Sequence, residues 1–87
     1  MKQKQIKRFF SGNKLIVWPK KQTDKVEVLG YITINFLKKN EYSETELNEI
    51  IKIIYEDYAL IRRSLVDYNY FTRTNDCNFY YKNANFD

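Results

Sequence analysis

Two adjacent arginines, Arg62 and Arg63, are the side chains of this sequence best suited to gripping another molecule. They lie in the run DYALIRRSLVDY, whose apolar positions recur at helical spacing. Successive residues on a helix point about 100° apart, so the two arginines meet different surroundings. With Tyr58, Ile61, Leu65 and Tyr68 turned to a core, Arg63 faces solvent and Arg62 sits at the border of that face. A guanidinium presents a planar fork of donors that matches phosphate and carboxylate oxygens. Arg63 is thus a candidate for a phosphate or a base edge, or else a solvated cation. Arg62 has the same choice, or it pairs with a carboxylate such as Glu56, Asp57 or Asp67 and fixes its helix in the fold. Arg73 and Lys82 place further cations on two later aromatic, β-prone runs.

A second group of cations stands at the amino terminus. Residues 1–22 contain Lys2, Lys4, Lys7, Arg8, Lys14, Lys20 and Lys21 and no acid. Residues 23–69 are net acidic, and residues 70–87 balance. A basic arm on a near-neutral body suits nucleic acid or an acidic protein surface, or it simply solvates a terminus. The candidate nucleic-acid contacts are therefore Lys4, Lys7, Arg8, Lys20, Lys21, Arg62, Arg63, Arg73 and Lys82. The acids Glu56 and Asp67, on or near the arginine helix, oppose simple phosphate binding.

Catalysis has little to draw on. The chain has no His, the usual general base near neutral pH, and no Gly-rich phosphate loop or metal-ligand cluster. Glu44, Glu46 and Glu49 cluster in the first turns of a helix, where carboxylates serve the dipole and the cap. A lone Cys77 excludes an internal disulfide and falls in an expected exposed turn with no His to activate it. No enzyme activity, cofactor or metal is expected. One cysteine, no long apolar run and no signal-like amino terminus point to a cytoplasmic protein without a membrane anchor.

Positioning these residues requires a small set of elements. The 87 residues suit one domain, and eight Tyr, six Phe and one Trp supply core area. Lys2 to Phe10 reads as a short helix with Ile6, Phe9 and Phe10 on one side, broken by Ser11-Gly12-Asn13. Leu15-Ile16-Val17-Trp18 reads as a buried strand or extended segment ended by Pro19. A helix near 24–38 follows, capped by Thr23 or Asp24, with Val26, Leu29, Ile32 or Thr33, Phe36 and Leu37 inward. Asn40 is the expected left-handed stop. Gly30 inside this helix implies a close neighbour.

Ser43-Glu44-Thr45-Glu46 carries the capping-box signature for a helix near 44–55, with Leu47, Ile50, Ile51 and Ile54 on one face. The arginine helix spans about 58–68, opened by Asp57 and stopped at Asn69. A hairpin near 70–82 turns at Asn75-Asp76, and Tyr42-Ser43 can add a small strand to it. Its aromatics divide more naturally into core and cover than into stacking platforms for bases. Trp18 likewise reads as a core anchor.

The order of helices and hairpin describes an α+β winged helix-turn-helix. It comprises a three-helix core at 23–82 with a β-hairpin wing, a basic extension at 1–22 packing on it, and a frayed tail at 83–87.

From Glu41 to Lys82 the chain resembles the bacterial family called domain of unknown function 2087. Tyr42, Ser43, Glu44, Glu46 and Asn48 match its first block. Asp57, Ala59, Ile61, Arg62, Arg63, Leu65, Val66 and Asp67 match its second, with Ile61 in place of Leu. Arg73 and Tyr80 match its third. The piece from Leu15 through Pro19-Lys20-Lys21 to Leu29 is also similar. Asn69 and Cys77 replace glycines, and Tyr81 replaces a tryptophan. The resemblance implies a winged-helix-like fold of the kind attached to bacterial transcriptional regulators.

Two functions compete. In one, the arginine helix enters the major groove of double-stranded DNA while the basic arm and wing hold phosphates. In the other, the same scaffold binds a protein partner without touching DNA. A homodimer fits either. Clustering of the arm cations with Arg63 and Arg73 favours DNA, and scatter favours the protein partner.

Overall fold

A computed structural model describes residues 7–83. A 3-10 turn at Lys7–Phe9 leads into β1 (Phe10–Ser11) and β2 (Lys14–Leu15). Then come α1 (Gln22–Phe36), β3 (Glu41–Ser43), α2 (Glu44–Ile54), α3 (Tyr58–Asp67), β4 (Phe71–Arg73) and β5 (Phe79–Lys82). The described residues thus form an α+β fold with three helices and two small antiparallel sheets. No helix among them is long and apolar enough to cross a membrane.

The helix expected over Lys2 to Phe10 is corrected in its described part alone. Residues 1–6 lie outside the described residues, and 7–15 form a turn and a miniature hairpin. Gly12, at φ 62°, makes the reversal that a residue with a Cβ resists. Phe10 pairs with Leu15, and the Ile16 amide donates to the Phe9 carbonyl at 2.8 Å. Of the apolar run, Leu15 enters the core while Ile16 and Val17 stay exposed and Trp18 is half-buried. Pairing with Phe10 fixes which side of this short segment faces inward.

Helix α1 is capped at Lys21 rather than at Thr23 or Asp24, and this N-cap makes no side-chain hydrogen bond. Val28, Leu29, Ile32 and Thr33 are its buried positions, with Val26 exposed. The inward stripe therefore runs through Val28. The helix stops at Leu37, whose amide reaches the Ile32 carbonyl, and Asn40 does not enter the left-handed region. Gly30 does mark a close approach: a Cβ there would stand 3.1 Å from the Tyr70 hydroxyl oxygen. That hydroxyl donates to the Val26 carbonyl at 2.6 Å, tying the entry to β4 onto α1.

Helix α2 starts on the expected capping box. The Glu46 amide donates to Ser43 Oγ at 3.1 Å, and the Ser43 amide donates to Glu46 Oε1 at 2.9 Å. Asp57 Oδ1 accepts from the Leu60 amide at the start of α3. At its end Asn69 takes φ 67°, its amide reaching the Val66 carbonyl and that of Tyr70 the Leu65 carbonyl. These two bonds form a Schellman motif, which fixes the direction in which the chain leaves the helix for the hairpin.

The three-stranded sheet has the order β3-β5-β4. Tyr80 lies between Tyr42 and Arg73, and Lys82 lies opposite Phe71. Side chains alternate across a sheet, so Tyr42, Phe71, Arg73, Tyr80 and Lys82 share one face. Tyr42, Phe71 and Tyr80 are buried on it, while Phe79 and Tyr81 on the other face are exposed. The hairpin aromatics thus divide into core and cover. The core joins them to Leu15, Leu29, Ile32, Leu47, Ile51, Ile61 and Leu65 from the rest of the fold.

Candidate nucleic-acid interface

Where α3 meets the hairpin, a cleft of about 170 Å³ opens. Arg62, Arg63, Val66, Asp67, Arg73 and Tyr80 line it. Arg62, Arg63, Val66 and Asp67 belong to one helical face because residues three and four apart are neighbours. Arg73 arrives from β4 on the sheet face it shares with Tyr80. Three arginines from two elements and one aspartate therefore line the same cleft.

The three arginines are held differently. Arg62 Nη1 donates to Asn48 Oδ1 at 2.6 Å and lies 3.9 Å from Glu44 Oε2. Its side chain is 17% exposed, so this guanidinium is spent on fastening α3 to the amino-terminal part of α2. The role as a tie within the fold matches one of its two expected uses, but the partners differ. They come from α2, not from Glu56, Asp57 or Asp67.

Arg73 Nη1 donates to Cys77 Sγ at 3.2 Å across the hairpin turn. Arg63 is exposed, and among the described residues no hydrogen bond or ion pair engages it. Arg63 and the remaining donors of Arg73 are the ones open to a ligand.

The hairpin turn is built to hold its shape. Cys77 stands at φ 62°, and its amide reaches the Thr74 carbonyl. Asp76 Oδ1 accepts from the Thr74 hydroxyl at 2.6 Å and the Asn78 amide at 3.0 Å. These bonds favour the charged form and hold the Asp76 carboxyl below its ordinary value. On the cleft floor the Tyr80 hydroxyl lies 3.4 Å from Glu44 Oε1. Burial raises its pKa, with Arg62 opposing and Glu44 assisting.

The other candidate cations lie elsewhere. Arg8 Nη2 pairs with Asp24 Oδ2 at 3.2 Å, and its guanidinium lies 4.6 Å from the Phe9 ring centroid. Lys7, Lys20 and Lys21 are exposed outside the cleft, and Lys82 ends β5. Lys14 donates to the Ile53 carbonyl at 3.2 Å, near the carboxyl end of α2. Lys4 lies outside the described residues.

The described cations thus fall into separate groups, and the described residues of the arm contribute nothing to the cleft. Tyr80, Val66 and Asp67 complete it without having been candidates. The alternation of β4 and β5 carried a signal for Tyr80, since it puts Arg73 beside the inward tyrosine. Nothing in the sequence signals that Asn48 and Glu44 take Arg62.

Residues 14–82 match the model of a family described as an uncharacterized protein conserved in bacteria. The chain belongs to that family, domain of unknown function 2087. No curated protein and no solved structure matches the chain.

Proposed function

We propose that this family member is a winged helix-turn-helix protein that binds double-stranded DNA, with α3 as recognition helix and the β4–β5 hairpin as wing. The observation that carries the reading is the shared cleft, whose lining includes Arg63 from the helix and Arg73 from the wing. Helix and wing then meet one duplex together, the helix in the major groove and the wing on the backbone. Arg62 positions α3. The arm cations Lys7, Lys20 and Lys21 contribute screened attraction away from the cleft, with Lys4 beyond the described residues. This reading places the protein in the cytoplasm as a regulator, with two copies on a two-fold site.

A second reading is favoured by the scatter of the described arm cations away from Arg63 and Arg73, the outcome expected for a protein partner, and by a further feature. Ile16 and Ile53 are exposed apolar residues near the carboxyl end of α2, and Arg8 and Lys14 of the arm are engaged by other residues of the fold. A protein partner seated there would use the scaffold without DNA.

Titrating random duplex at several salt concentrations separates the two. DNA binding gives a log–log slope of roughly −0.9 per phosphate contact, and Arg63→Ala and Arg73→Ala flatten it. Absence of duplex binding at low salt overturns the DNA reading and leaves the protein partner.

A further inference from the structure

We infer that the cleft between α3 and the wing is a discrete binding site for a phosphate-class oxyanion, with Arg63 and Arg73 as its donors. Charge is the first argument. Three cations and one acid line a space of about 170 Å³, and of the three cations Arg62 is the one that Asn48 and Glu44 engage. Like charges held close repel, and an anion between them converts that repulsion into attraction.

The available donors are the second argument. A guanidinium has five N–H groups. Arg73 spends one on a sulphur atom, and Arg63 spends none among the described residues. Helix and strand approach the cleft from different directions, so their forks address oxygens that are not coplanar. A tetrahedral phosphate offers such oxygens, whereas a flat carboxylate is satisfied by one fork.

Shape is the third. The space exceeds what a few ordered waters need, and Val66 and the Tyr80 ring supply apolar wall. Asp67 opposes the anion and sets an upper limit on affinity. The helix is anchored by the Arg62 tie and the Schellman motif, so Arg63 is presented from a fixed backbone.

The phosphate can belong to a DNA backbone or to a free phosphorylated compound. The site shares the cleft with the DNA reading, and its anion chemistry holds for either source.

The test is NMR of the arginine side-chain Nε–H groups during titration with inorganic phosphate, with chloride at matched ionic strength as control. Saturable shifts at Arg63 and Arg73, but not Arg8, are expected. Arg63→Ala and Arg73→Ala should each weaken phosphate binding by about tenfold, the loss of a charge-assisted hydrogen bond. Both side chains are exposed, and melting curves verify that the variants fold. Asp67→Asn should tighten binding by about threefold through removal of the opposing charge.

A short duplex added afterwards identifies the source. Displacement of phosphate from the same resonances assigns the site to a backbone phosphate. Phosphate binding that duplex leaves untouched sustains the site, assigns it to a free phosphoryl ligand and removes the cleft from DNA recognition. Shifts no larger with phosphate than with chloride overturn the inference, even if duplex still binds elsewhere.

Discussion

The two ends of α2 use the same kind of side chain to different effect. Near its amino end, Arg62 is locked by Asn48 and Glu44, which leaves Arg63 and Arg73 facing a cleft with one acid. Near its carboxyl end, Lys14 donates to the Ile53 carbonyl, where a cation complements the helix dipole. Two exposed apolar residues, Ile16 and Ile53, lie beside it. One end leaves donors of Arg63 and Arg73 open, and the other spends its cation on a carbonyl. What a cation does is decided by the acceptors already within reach, not by its place in a basic stretch.

The largest expected effect contrasts packing at the two ends. Ile61 is fully buried, and Ile61→Ala should cost about 2–5 kcal/mol of stability. Ile16 is 57% exposed, and Ile16→Ala should change stability by no more than about 0.5 kcal/mol. Denaturant unfolding of both variants checks this. Comparable losses would mean that the amino-terminal hairpin belongs to the core as fully as α3 does.

Next comes binding. Arg63→Ala should weaken duplex affinity by about 1–3 kcal/mol if it reads a base, and more for preferred sites than for random ones. Ala at Lys7, Arg8 and Lys14 together should lower affinity less and uniformly, because two of those cations already have partners in the fold. Fluorescence anisotropy with specific and random duplex measures both. A larger loss from the arm variant would reverse the ranking of the two ends.

A smaller effect concerns the cap at the wing end. Ser43→Ala should cost about 1 kcal/mol. Hydrogen bonds from the Ser43 backbone and the Lys39 ammonium hold the Glu46 carboxyl below its ordinary value of 4.5. A carboxyl depressed in the folded state stabilises above its unfolded pKa and loses that contribution as pH falls through the folded one. Stability should therefore decline as pH drops below about 4.5, with Asp76, ordinarily 3.8, adding to the loss. Glu46→Gln should reduce the acid dependence, read as melting temperature against pH. An unchanged slope would assign the acid response to other carboxylates.

The smallest effect is at the wing turn. Cys77→Gly relieves a left-handed backbone but removes the sulphur that Arg73 meets, so stability should move by less than about 1 kcal/mol. Phosphate affinity should stay within about twofold, since one neutral acceptor is lost and no charge changes. A large loss of binding would show that the Cys77 contact aims Arg73.

Local chemistry made several features legible in advance. The Ser43–Glu46 box, the Asp57 start and the Asn69 stop are short-range patterns, and the structure contains each of them. The period of the apolar residues set the extents of α2 and α3 to within about two residues. Where the apolar pattern was short, as in residues 2–18, a helix and a hairpin could not be told apart, because a few residues satisfy either period.

The sequence by itself therefore determined α2 and α3, their caps, the β4–β5 hairpin and the exposure of Arg63. Each depends on contacts within a few residues of chain. Only the tertiary structure decided that Asn48 and Glu44 engage Arg62, that Tyr70 closes over Gly30, and that Arg73 joins Arg63 in one cleft. Those outcomes depend on how α1, α2, α3 and the sheet cross. Crossing is fixed by the packing of the whole core, and no single segment encodes it.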